Sequence, residues 1–274
     1  MTLVLALKWI SNGKESIVIS SDSKATAFLV SYEEKKIHPI YLQVNDEYVP
    51  IAVAGGSGDS ALVKQCFRIF EKILEEKAAN EWNKKTPTFE QFEKAIKEIE
   101  TALIRRFKEL KENNIMTDIS GISLILASVD ANGKASMYQF DSRGIAEPLH
   151  DSPGYAMIGA GFVTGGILLL RLLGYTPEES YKLDLGTLST FIIDTVSEVD
   201  PTVGPFIGES YHMRAEEGKV LLGPLKDEAL KEFKEKTIKR KEIIKKLWQL
   251  MDSIEEQKII EKIEELDKLI TEMK

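Results

Sequence analysis

The second residue of this chain is a threonine, and an aspartate stands at position 22. A threonine that begins a chain carries both a nucleophile and a base, because its own α-amine (pKa ~8) can take the hydroxyl proton. The start Met1-Thr2 is of the small-residue kind that a methionine aminopeptidase can process, and no propeptide is expected. Two readings of this start stand side by side. It is either an inner strand and nothing more, or a strand whose free amine is needed for chemistry.

Asn12-Gly13 separates apolar runs at 2–10 and 15–21, and such a dipeptide is the strongest short-range hairpin signal. With a two-residue turn there, facing positions sum to 25, which sets Thr2 opposite Ser23 and puts Asp22 one residue away. A carboxylate at that distance can orient the threonine or hold the site electrostatically.

The rest of the chain reads as the frame for that hairpin. "YVPIAVAGGSGDS" predicts a strand, a glycine turn and a helix start capped by Ser57 or Asp59. Helical spacing follows at 59–77 and 88–112, broken at "NKKTPT". Two strands joined at Asn132-Gly133 come next, then a strand, a small-residue turn and a buried helix within "GYAMIGAGFVTGGILLLRLLG". "DLGTLSTFIIDTVSEVD" predicts a further helix and "GKVLLGPL" a closing strand. This order points to an α/β protein whose helices cover sheets built from antiparallel hairpins. After Pro224 the composition changes: thirteen Lys/Arg and thirteen Asp/Glu lie between Lys226 and Lys274, with apolar residues at three- and four-residue spacing. We read 1–225 as one domain and 226–274 as an appended helical hairpin, broken at Asp252-Ser253.

Bulk properties narrow the function. The formal charge of −8 argues against nucleic acid as the partner. No apolar run approaches the ~20 residues of a membrane helix, and the start lacks the regions of a secretory signal. The single cysteine, Cys66, excludes an internal disulfide and leans towards the cytoplasm. It lies among Leu62, Val63, Phe67 and Phe70 at helical spacing and reads as core. "GGSGDS" lacks the Lys-Ser/Thr of a phosphate loop. His38, His150 and His212 show no ligand spacing, so neither a metal nor another cofactor is expected. "TIKRKEIIKK" reads as a solvated helix face, because acidic residues flank it and isoleucines interleave.

Thr2, "SDSKAT" (Asp22 to Thr26), "EEKKI" (with Lys36) and "AVAGGSGDS" together resemble the proteasome β-subunit family of N-terminal nucleophile hydrolases. The likeness covers about residues 2–223 in order. It implies a four-layer αββα sandwich and an ester intermediate on Thr2. It further implies Asp22 and Lys36 as catalytic partners, Gly55 as the backbone donor to the oxyanion, and Thr26 as the strand-addition site for a peptide. "IGAGFVTGG" resembles the family's "GSGS" turn, and "DPTVGPF" its late "DxxSGG" turn, whose aspartate is Asp200. Where the family has serines supporting the amine, this chain has Ala160 and Val203, and Gly204-Pro205 stands where two glycines are expected. The resemblance thus implies a threonine peptidase acting on a peptide or protein, assembled as a homo-oligomer with a ring as one arrangement. Two alternatives are a transpeptidase or protein ligase like the archaeal connectases, and a non-catalytic assembly subunit.

Overall fold

Asn12 and Gly13 both adopt positive φ, 52° and 73°, which turns the chain back on itself in a two-residue loop. This hairpin opens the computed structural model, which describes residues 2–27, 30–113, 121–251 and 256–272. In chain order the strands are β1 (Val4–Ser11), β2 (Lys14–Ser21), β3 (Lys24–Ala27), β4 (Val30–Glu33), β5 (Ile37–Val44) and β6 (Glu47–Ser57). Helices α1 (Ser60–Asn80) and α2 (Phe89–Glu112) follow, then β7 (Ser123–Val129), β8 (Ala135–Phe140), β9 (Ala146–Pro148) and β10 (Tyr155–Ile158). The chain continues through α3 (Ile167–Leu172), α4 (Leu185–Ser197), β11 (Glu209–Glu216) and β12 (Lys219–Pro224), ending with α5 (Asp227–Met251) and α6 (Glu256–Glu272). Met1 and the Asp252-Ser253 break lie outside the described residues.

Two five-stranded antiparallel sheets stack face to face, one ordered β10-β1-β2-β11-β12 and the other β5-β6-β7-β8-β9. Val4, Ala6, Ile17, Ile19 and Met213 of the first meet Val53, Ile125 and Ala127 of the second in a closed apolar layer. Leu3, just before β1, and the alternate residues Leu5 and Leu7 within it face outward onto α3 and α4. The outer face of the second sheet is covered by α1 and α2 through Phe67, Phe70, Phe92 and Phe107. The result is the αββα sandwich. Because both faces of β1 are buried, its sequence is a continuous apolar run from Leu3 to Leu7 and not an alternating one.

Five strands, β3, β4, β5, β9 and β11, were not legible in the sequence. β5 contains Pro39 and a register shift at Ile40/Tyr41, so its alternation is broken. β11 carries Glu209, Ser210 and His212, polar types that mask a strand. The short β3 pairs only with β4. The glycine turn falls at Gly58 and not at Gly55-Gly56: β6 runs through both residues to Ser57, Gly58 takes φ of 121°, and Asp59 caps α1 by accepting from Leu62 N–H at 2.9 Å. The reason is packing. A Cβ on Gly55 would lie 2.9 Å from Val4 Cγ1, and one on Gly56 would lie 2.3 Å from Val63 Cγ1, so these glycines admit close neighbours and do not turn the chain.

The first half of α5 packs on α4. The Phe233 ring sits over Gly186, where a Cβ would come within 2.2 Å of it. Lys241 reaches the buried Asp194 and, at 2.8 Å, Glu198. Farther along, Ile243, Leu247 and Trp248 of α5 and Ile260, Ile263 and Leu266 of α6 are exposed.

Candidate active site

Asp22 follows the last residue of β2 and is fully buried. Its Oδ1 accepts from Thr2 Oγ1 at 2.5 Å, Leu3 N–H at 2.8 Å and Lys36 Nζ at 2.8 Å, while Oδ2 accepts from Lys24 N–H at 3.0 Å and Gly204 N–H at 2.9 Å. Hairpin register brings Thr2 here. Every β1–β2 pair from Val4↔Ser21 to Ser11↔Lys14 obeys the sum expected from the turn. Five donors, one of them an ammonium, offset the cost of burying this carboxylate.

Lys36 lies in the turn before β5, only 7% exposed. Its ammonium also donates to Lys24 O at 2.5 Å. Burial lowers the Lys36 pKa; Asp22 opposes this most strongly, by charge and by hydrogen bond, with smaller help from Glu209 and Glu34. The threonine hydroxyl and the lysine ammonium therefore meet at a single carboxylate oxygen. Such an arrangement can orient a hydroxyl nucleophile and place positive charge beside it.

A second group of residues closes over Thr2 from the far side of the sheet. Gly159 follows β10 with φ of 97°, and a Cβ there would lie 2.0 Å from Thr2 O and 3.1 Å from Ser57 Oγ. Only glycine fits that approach. Asp200 is buried, its Oδ1 accepting from Thr202 N–H at 2.9 Å and Thr202 Oγ1 at 2.6 Å, its Oδ2 from Thr164 Oγ1 at 3.0 Å. Burial opposes the Asp200 carboxylate, but those three bonds together hold its pKa below the usual range. Val203 is buried against the Leu3 cluster, and Ala160 contributes its carbonyl to Thr164.

The structure thus gathers Thr2, Asp22 and Lys36, and it links Asp200 to them through the loop that delivers Gly204. It does not bring Gly55 to Thr2 by any hydrogen bond. Gly55 pairs with Ile37 on one side and Ile125 on the other. Since the next amide, Gly56 N–H, donates to Lys36 O, the Gly55 amide points the opposite way, towards β7. The β6 residue that shares the Gly159 neighbourhood with the Thr2 carbonyl is Ser57. Thr26 lies in β3 opposite Ser31, in the separate two-stranded sheet. Sequence reasoning missed Thr164, Thr202 and Glu209. The two threonines lie inside motifs already singled out, "IGAGFVTGG" and "DPTVGPF", whereas nothing in the sequence marks Glu209. Among the described residues, no group of three or more His, Cys, Asp or Glu is placed to hold a metal ion, and no helix is long and apolar enough to cross a membrane. Burial pushes the Cys66 thiol up to about 12, which leaves it inert.

Among solved structures, the chain resembles Anbu from Hyphomicrobium sp. strain MC1. A Gly-1 mutant of that protein aligns with TM-score 0.64 at 13% identity, covering 91% of this chain and 97% of that one. A second Anbu structure gives 0.62 at 14%, covering 90% and 97%. The fold is of the N-terminal nucleophile hydrolase type. No protein-family profile and no curated protein matches the sequence. These neighbours correct the resemblance to proteasome β-subunits: the solved structures that share the fold are of Anbu.

Proposed function

We propose that the protein is a threonine-type N-terminal nucleophile hydrolase that cleaves amide bonds in a peptide or protein. The observation that supports this most is the shared oxygen Asp22 Oδ1, which holds the Thr2 hydroxyl and the Lys36 ammonium together in a buried site. The reading requires removal of Met1, so that the α-amine of Thr2 becomes the base. Thr2 Oγ then attacks the substrate carbonyl and its proton passes to that amine. The tetrahedral intermediate collapses with cleavage of the C–N bond, and the proton leaves on the departing amine. Water hydrolyses the resulting ester and regenerates Thr2. Lys36 favours the developing alkoxide by its charge, and Asp22 keeps that charge beside the hydroxyl. If an amine and not water resolves the ester, the same residues perform transpeptidation.

Ala160 and Val203 favour a second reading, a non-catalytic subunit, because neither side chain offers a hydroxyl to the α-amine. Intact mass of the protein purified from its native host, with and without a peptide epoxyketone, separates the readings. We expect a chain lacking Met1 that gains one adduct. A chain that uniformly keeps Met1 and gains no adduct overturns the catalytic reading.

A further inference from the structure

Lys36 can serve Asp22 only if its backbone is fixed, and the fixing group comes from the other sheet. β5 is the edge of its sheet, and Ile37 faces Gly55 in a pair whose flanking bond runs from Gly56 N–H to Lys36 O. The Ile37 N–H therefore points away from β6, where no strand receives it. A buried amide needs an acceptor. Glu209, at the start of β11 and paired with Ser21, reaches across with its side chain. Its Oε1 accepts from Lys36 N–H at 2.5 Å, from Ile37 N–H at 2.8 Å and from Ser21 Oγ at 3.4 Å. The strand bearing it is itself held, since Gly208 N–H donates to Ser21 O at 2.8 Å. Three segments thus converge on one carboxylate oxygen: the end of β2 that carries Asp22, the turn that carries Lys36, and the entry to β11.

We propose that Glu209 is a positioning residue, a clamp that holds the Lys36 and Ile37 amides across the two sheets and so aims the Lys36 ammonium at Asp22 and Thr2. The clamp uses one oxygen. Among the described residues, Glu209 Oε2 is enclosed and meets no donor, so the carboxylate is engaged at Oε1 and not by a full ring of partners. Burial raises the Glu209 pKa; the amide bonds from Lys36 and Ile37 oppose it most, ahead of Ser21 Oγ and the Lys35 charge. Reach and charge are separable. Glu209→Gln keeps the length and the accepting oxygen but loses the charge, while Glu209→Asp keeps the charge but falls one methylene short.

The effect on Thr2 rests on the hydrolase reading; the clamp itself does not. The experiment therefore has two readouts on the full chain with Met1 removed: hydrogen exchange of the Lys36 and Ile37 amides, and the rate of Thr2 labelling by a peptide epoxyketone. We expect Glu209→Gln to keep both amides protected and to label within about threefold of the wild type. Glu209→Asp should exchange both amides at least tenfold faster and label at least tenfold more slowly. The reverse order of the two variants assigns the role to charge and overturns the clamp, as does unchanged exchange in Glu209→Asp. If the wild type itself does not label, the hydrolase reading fails while the exchange rates still decide the clamp. If Glu209→Asp does not fold, loss of protection at Lys36 and Ile37 in folded Glu209→Gln overturns the proposal and its retention supports it.

Discussion

Replacing Lys36 by methionine keeps the aliphatic stem and removes the ammonium from a site where both partners are buried, at 7% and 0% side-chain exposure. Removing one member of a buried ion pair costs about 3–5 kcal/mol, because the other charge is left uncompensated. Two features of this site place the loss at the low end. Asp22 keeps four further donors, Thr2 Oγ1 and the amides of Leu3, Lys24 and Gly204, and hydrogen bonds to a charged group contribute ~1.5–3 kcal/mol each. The variant also escapes the desolvation that lowers the Lys36 pKa in the wild type. We therefore expect a loss of about 3 kcal/mol, a melting decrease of roughly 6–12 °C for a chain of this size. Urea unfolding with an unchanged slope measures it. Loss of the charge beside the hydroxyl should also slow epoxyketone labelling about a hundredfold, the scale seen when one preorganised donor is removed. A folded Lys36→Met variant that labels at the wild-type rate refutes the role of the ammonium. An unfolding midpoint equal to that of the wild type refutes the claim that Asp22 depends on it.

Gly159→Ala forces a Cβ into the Thr2 carbonyl at a positive φ, so labelling should disappear and stability fall by at least about 2 kcal/mol, read by thermal melts. His212 supplies a pH test. Burial, aided by Arg214, lowers its pKa to about 4, and its Nε2 is enclosed without a partner. The folded state therefore stays neutral where the unfolded chain, with its ordinary value near 6.5, already binds a proton. Stability from this residue is present above pH 6.5 and is lost as pH falls towards 4, by about 3 kcal/mol in all. Urea midpoints at pH 7 and pH 4 should show that loss in the wild type and not in His212→Gln. Lys241→Ala leaves Asp194 buried without its ammonium on the α4 face, so limited proteolysis within α5 should accelerate at least tenfold. Unchanged cleavage shows that α5 docks without it.

What the sequence revealed and what it hid follow from the same physics. The Asn12-Gly13 turn fixes the register locally, so the nearness of Thr2 and Asp22 could be read from a short stretch of chain. The long helices announced themselves by spacing, and Thr88 with Gln91 closes a capping box at the start of α2. Hidden features depend on contacts between distant segments. Gly55-Gly56 looks like a turn in isolation, and only the approach of Val4 from one sheet and Val63 from α1 shows that both glycines belong inside a strand. β11 reads as polar because Glu209 and Ser210 spend their polar atoms on β2 and on the Lys36 turn. No local pattern contains that partner.

The replacement of the expected serines by Ala160 and Val203 looks, from sequence, like a dismantled site. The structure places other hydroxyls around the same aspartate. Thr202 bonds Asp200 with both its amide and its side chain, and Thr164 joins Asp200 to the turn that carries Gly159. Asp200 thereby fastens two loops, one pressing Gly159 against the Thr2 carbonyl and the other delivering Gly204 N–H to Asp22 Oδ2. Its influence on Thr2 runs through Asp22 and through backbone placement. The site is consequently supported from three directions: by Asp200 through two loops, by Glu209 through the Lys36 turn, and by the hairpin through register. These supports converge on one buried carboxylate, and that convergence supports the proposed catalytic reading of Thr2.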